Sequence, residues 1–134
     1  MAYTQAVGVS KGALWTGRVL SGLIIAFLAF DAVLKLVKPV PVVEAFNHLG
    51  LPMTEANTIG VLLGLSTLLY AIPQTSILGA ILLTGYLGGA VQTHLRVGDP
   101  LASHELFPVY MGAVLWLALY LREPRLKALV PFRK

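Results

Sequence analysis

Residues 75–100 read TSILGAILLTGYLGGAVQTHLRVGDP, and this stretch decides the fold. From Ser76 to Leu95 there is no formal charge. That is about 20 residues, enough at about 1.5 Å per residue to cross a hydrocarbon core of ~30 Å. Gly85 and Gly89 are four apart and share one helical face, a spacing that predicts close approach of a second backbone. Gln92 and Arg96 continue that face, so the same helix is expected to aim an amide and a guanidinium at its neighbours near one membrane surface.

The rest of the chain has the same character. Of 134 residues, 57% are apolar and 12% are charged, with mean hydropathy +0.79. Soluble domains carry about 25% charged residues, so the composition predicts one integral membrane domain over residues 1–134. The expected fold is all-α, a four-transmembrane-helix antiparallel bundle. Its spans fall at about 13–37, 55–72, 76–95 and 101–121, with a short amphipathic interfacial helix at about 42–49 and a basic tail at 122–134. The link Pro73-Gln74-Thr75 is too short for anything but antiparallel neighbours. No cysteine is present, which excludes disulfides, thiolate metal sites and dithiol exchange. The first apolar run is too long for a cleavable signal and lacks a small-residue cleavage site.

Charge sets the expected orientation. Four spans put both ends on one side, with Lys11, Arg18, Arg122, Arg125, Lys127, Arg133 and Lys134. Only Lys35, Lys38 and Arg96 lie on the other. The positive-inside rule then places both termini in the cytoplasm of a multi-pass protein of the cell (inner) membrane. Apart from the tail there is no basic-aromatic patch, which excludes nucleic acid as a partner. The tail itself suits anionic headgroups.

Several local signals add detail. Arg18 is expected to snorkel, and Asp31 precedes Lys35 by four residues, a favourable order for an ion pair. The 42–49 segment places Val42, Val43, Phe46 and Leu49 opposite Glu44, Asn47 and His48, with Gly50 as its stop. Glu44 and His48 stand four apart, which suits a ligand pair or a solvated face. Thr54 reads as an N-cap, Gly60 and Gly64 as a second close-packing face for the bundle or a homodimer, and Tyr70 as an interfacial anchor. Asp99-Pro100 reads as a helix start. Pro108 is expected inside the last span, freeing the His104 carbonyl and kinking the helix.

The outer ends of the spans gather Asp31, Lys35, Glu44, His48, Glu55, His94, Arg96, Asp99, His104 and Glu105. Charge is expensive in hydrocarbon, so this asymmetry predicts a polar pocket open to the outside or the outer leaflet. The expected ligand-binding residues are Asp31, Lys35, Asn57, Tyr86, Gln92 and Arg96; those suited to acid/base chemistry are Asp31, His94 and His104. On one continuous helix His94 and Arg96 point about 160° apart, and Arg96 is taken as the inward group because it shares the glycine face. No H-x-x-x-H or H-E-x-x-H spacing occurs, so no metal site is expected, and no glycine loop suits a phosphate.

The run Gly85-Tyr86-Leu87-Gly88-Gly89-Ala90, followed by His94, Arg96 and Gly98, resembles the third helix of the DoxX-like family of small four-helix membrane proteins. Arg18 with Gly22, Asp31 with Lys35, and Leu49-Gly50-Leu51-Pro52 extend the resemblance over nearly the whole length. It implies a membrane subunit associated with quinol or thiosulfate oxidation. The leading expectation is therefore a small hydrophobic or quinone-like ligand, held by an accessory subunit of a membrane redox system, with the cofactor unknown. The alternatives are an intramembrane acid/base enzyme for isomerisation or epoxide opening, and a small proton-coupled transporter.

Overall fold

A computed structural model describes residues 9–133, which are helical with no strand. The leader expected over residues 1–12 lies outside the described residues as far as residue 8, as does Lys134. Helix α1 (Lys11–Val37) begins earlier than expected because the Ser10 hydroxyl accepts the Ala13 N–H at 3.1 Å, capping the first turn. It ends at Lys38, whose positive φ of 61° turns its N–H back to the Leu34 carbonyl just before Pro39. Helix α2 (Val40–Leu49) has Pro41 in its first turn and stops at Gly50, φ 71°, a conformation that glycine adopts without strain.

Helix α3 (Glu55–Ala71) starts without the expected Thr54 cap: Thr54 has helical backbone angles and its side chain bonds nothing in the first turn. A 3-10 turn (Pro73–Thr75) joins α3 to α4 (Ser76–Arg96). A single π-helical turn (Leu101–Glu105) then precedes α5 (Phe107–Arg122), and a short α6 (Pro124–Lys127) lies within the basic tail. Pro108 therefore sits in the first turn of α5, where its missing N–H is no loss, and the break in the helix comes just before it, at the bend of Leu106.

In the packing, α1 lies against α3 and α5, α4 lies between α3 and α5, and α2 has little close backbone packing with any long helix. The core is a narrow column including Leu28, Leu63, Leu83, Leu115 and Leu119. Outside it, Trp15, Leu23, Phe30, Val61, Leu65, Leu78, Ile81 and Leu117 are all exposed. An apolar surface around a thin core belongs in lipid. Three helical stretches, Lys11–Val37, Pro73–Arg96 and Leu101–Arg122, are long and apolar enough to cross a membrane.

One end of this column is tightly closed. A Cβ on Gly17 would stand 2.8 Å from the Ala118 carbonyl oxygen, and one on Gly79 only 2.2 Å from the Tyr70 nitrogen. Tyr70 is fully buried here, donating to the Leu115 carbonyl at 2.6 Å, so it is a core residue and not the interfacial anchor its position suggested. The Arg122 guanidinium lies 5.4 Å above its ring and donates to Ser21 Oγ at 2.9 Å. Gly60 packs against α1, where a Cβ would meet Leu36 at 3.1 Å and the Ala32 carbonyl at 3.2 Å. Arg18, expected to snorkel, lies 5.6 Å over the Trp15 ring.

Candidate functional site

The opposite end contains a cavity of about 620 Å³, within the usual range for small-molecule sites. Its walls follow helical periodicity. Helix α1 gives Phe27, Asp31 and Lys35, α2 gives Val42, Ala45, Phe46 and Leu49, and α5 gives Phe107, Pro108 and Met111. Helix α4 gives two rows four residues apart, Gly85, Gly89 and Thr93 beside Tyr86, Ala90 and His94.

Gly85 and Gly89 have no atom within 4 Å of an added Cβ, so they bring no backbone close as their spacing predicted. They leave the space that forms the cavity. With the cavity face centred between the two rows of α4, Gln92 is turned roughly 110° away at about 100° per residue. Gln92 is accordingly exposed and outside the lining, and so is Asn57 on α3.

Asp31 and Lys35 form the predicted ion pair at 2.7 Å; Lys35 is 16% exposed and Asp31 37%. Each neutralises the other, which is what lets both charges face an otherwise apolar chamber. Tyr86 lines the same space, and its hydroxyl makes no hydrogen bond among the described residues. Thr93 spends its hydroxyl on the Gly89 carbonyl at 2.8 Å.

His94 also lines the cavity, and its ring is fixed by Asp99, a residue read from sequence as the start of a helix. Gly98, φ 71°, turns the chain so that the Asp99 N–H returns to the His94 carbonyl at 3.2 Å. The Asp99 side chain, 6% exposed, then caps no helix. Oδ2 accepts from His94 Nδ1–H at 2.6 Å and Oδ1 accepts from His48 Nε2–H at 2.5 Å. The hydrogen bond from His48, then that from His94, holds the Asp99 carboxyl below the usual 3.8 against the upward push of burial. His48 thus pairs with Asp99 and not with Glu44, which is exposed.

Arg96 is the second correction on α4. The helix continues through it, so His94 and Arg96 diverge as their spacing requires, but the inward residue is His94. Arg96 reaches over the outside to the Leu49 carbonyl, the end of α2, where a cation suits the helix terminus. His104 stays out of the lining as well; its exposed ring meets the Ser103 hydroxyl at 2.8 Å and lies edge-on to His94 with centroids 6.0 Å apart. Of the expected site residues, the cavity brings together Asp31, Lys35, Tyr86 and His94, and leaves out Asn57, Gln92, Arg96 and His104. Sequence reasoning counted Asp99 among the polar outer-end residues but missed its pairing with His48 and His94, and missed the cavity role of Phe107 and Met111. An acid five residues after a helix-terminal histidine, with a glycine before it, was the available signal for Asp99.

Among the described residues no three histidine or acidic side chains converge as a metal site. Asp99 stands between its two histidines and spends an oxygen on each. No curated protein and no solved structure matches the chain. The DoxX-like family model matches residues 19–118, a span that contains every cavity-lining side chain together with His48 and Asp99, and the chain therefore belongs to the DoxX-like family.

Proposed function

We propose that this integral membrane protein holds a small hydrophobic molecule bearing a polar head, quinone-like in character, as an accessory subunit of a membrane redox system. The supporting observation is the cavity of about 620 Å³, apolar over most of its wall but carrying Asp31, Lys35, Tyr86 and His94. Apolar walls favour the body of such a molecule, and the few polar groups orient its head. The topology that goes with this reading has four antiparallel crossings. The exposed Val61, Leu62, Leu65 and Leu68 of α3 support a fourth crossing beside the three longer ones. The basic end, with Arg122 and the tail, then lies in the cytoplasm of the inner membrane, and the cavity opens on the other side.

One observation favours a second reading. Asp31 and His94 both reach the cavity, so acid/base chemistry on an apolar substrate is also open to this geometry.

Native mass spectrometry of the detergent-purified full chain tests the binding reading, with the retained molecule identified by fragmentation. An apolar molecule of defined mass is expected on the wild type and absent from Gly89→Leu, which fills the chamber from a position with nothing within 4 Å. Equal retention by the filled variant, or no retained molecule in either, overturns it.

A further inference from the structure

We infer that His94 Nε2 is the acceptor by which the cavity selects hydroxyl-bearing apolar molecules, and that Asp99 is the positioning residue which leaves that nitrogen bare. The inference rests on the binding reading above and adds the chemical class of the occupant.

The steps follow from donors and acceptors. An ionised carboxylate accepts and does not donate, so the 2.6 Å contact requires the proton of His94 to sit on Nδ1. In the neutral ring Nε2 then carries a lone pair and no hydrogen. Asp99 cannot swing away to release this tautomer: its second oxygen is taken by His48 at 2.5 Å, and its own N–H is bonded to the His94 carbonyl at 3.2 Å. The edge-on His104 ring, 6.0 Å away between centroids, packs beside the imidazole. Since His94 lines the cavity and Nδ1 is committed, any hydrogen bond to the occupant falls to Nε2.

The other polar walls sharpen the choice. Asp31 is already paired to Lys35, and both Lys35 and Tyr86 offer protons. Among the uncharged side chains of the lining, the Tyr86 and Thr93 hydroxyls can both donate and accept, whereas His94 Nε2 can only accept, so only a protic group satisfies it. A phenol or hydroquinone-type hydroxyl does so. A methyl ether or bare carbonyl at that place leaves Nε2 desolvated and unpaired. Losing one such hydrogen bond weakens binding roughly tenfold.

The test uses the full chain in detergent micelles, labelled with nitrogen-15 histidine and methyl-labelled methionine, near neutral pH. Long-range proton–nitrogen spectra give the tautomer of each ring, His94 being assigned through His104→Gln and His48→Gln. The probes are 2-naphthol and its methyl ether, and Met111, which lines the cavity, reports entry of either. The expected result is a proton on Nδ1 of His94, a shift of Nε2 on adding 2-naphthol, and roughly tenfold weaker entry of the ether with Nε2 unmoved. Asp99→Asn is expected to mix the two tautomers and remove the discrimination. A proton on Nε2, or equal entry of both probes with Nε2 unmoved, overturns this inference alone. If neither probe moves Met111, the binding reading falls and this inference with it.

Discussion

Gly79→Ala separates the two uses that this chain makes of glycine. The new Cβ would lie 2.2 Å from the Tyr70 nitrogen, 2.5 Å from its Cα and 2.7 Å from the Leu69 carbonyl carbon. All three are backbone atoms, so no side chain can swing aside. Ordinary contact begins at 3.4 Å, so α4 must withdraw from the last turn of α3 by about 1.2 Å. Tyr70 is held there by its 2.6 Å bond to the Leu115 carbonyl, and Ser76 donates to the Tyr70 carbonyl at 2.8 Å. Overpacking of this kind costs about 1–3 kcal/mol, and one strained hydrogen bond adds about 0.5–1.5 kcal/mol. The expected loss is about 1.5–4.5 kcal/mol. Gly88→Ala on the same helix meets nothing within 4 Å and is expected to gain up to about 1 kcal/mol from helix propensity. Unfolding in mixed micelles with increasing SDS, followed by tryptophan emission, measures both variants. If Gly79→Ala stays within about 0.5 kcal/mol of the wild type, or Gly88→Ala falls as far, the close approach of α4 to Tyr70 is not what holds this end together.

Three further outcomes are expected. Lys35→Met strands Asp31 and lowers stability by about 1–3 kcal/mol, less than for an enclosed pair because Asp31 is 37% exposed; Asp31→Asn added to it recovers most of the loss, read by the same SDS titration. Arg122→Lys keeps the charge but loses the planar stack on Tyr70 and the bond to Ser21, lowering stability by about 1–2 kcal/mol. The carboxyl of Asp99 is held below 3.8 in the folded chain, so its contribution is present above that pH and is lost as pH falls through the lower native value. The melting temperature of the wild type should exceed that of Asp99→Asn at pH 6, with the gap closing below 3.8; a gap that first opens on acidification to that point contradicts the sign.

Much of the fold was legible because lipid imposes simple demands. A charge-free run, a short proline link and a glycine stop each carry their meaning locally, and α1 to α4 begin and end within a few residues of their expected positions, whereas α5 starts only at Phe107, after a π turn. The Asp31–Lys35 pair was legible for the same reason, since both groups lie on one helix. The site was harder. Spacing shows that Gly85 and Gly89 share a face, but only the neighbouring helices decide whether that face meets backbone, as at Gly79, or open space. Asp99 looked like a cap because its partner His48 stands 51 positions away, beyond any local pattern. Arg96 was misplaced by assuming that the glycine row marks the centre of the inward face, when the lining extends to the next row and is centred between them.

These errors share a physical source, which also explains why the cavity sits at one end. Where Gly17 and Gly79 meet neighbouring helices, the long helices close on one another and leave no room. Past that zone, α4 presents glycines to nothing, and α2 fills part of the gap as a ten-residue roof with little close backbone packing. What fastens the roof is the buried Phe46 and two polar ties, His48 to Asp99 and Arg96 to the Leu49 carbonyl. Local opening follows the least buried contact, so α2 is the element that yields first. The closed end must stay shut for the helices to keep their register. Asp99, bonded to His48 of the roof and His94 of the wall, therefore ties the fastening of α2 to a side chain that lines the cavity.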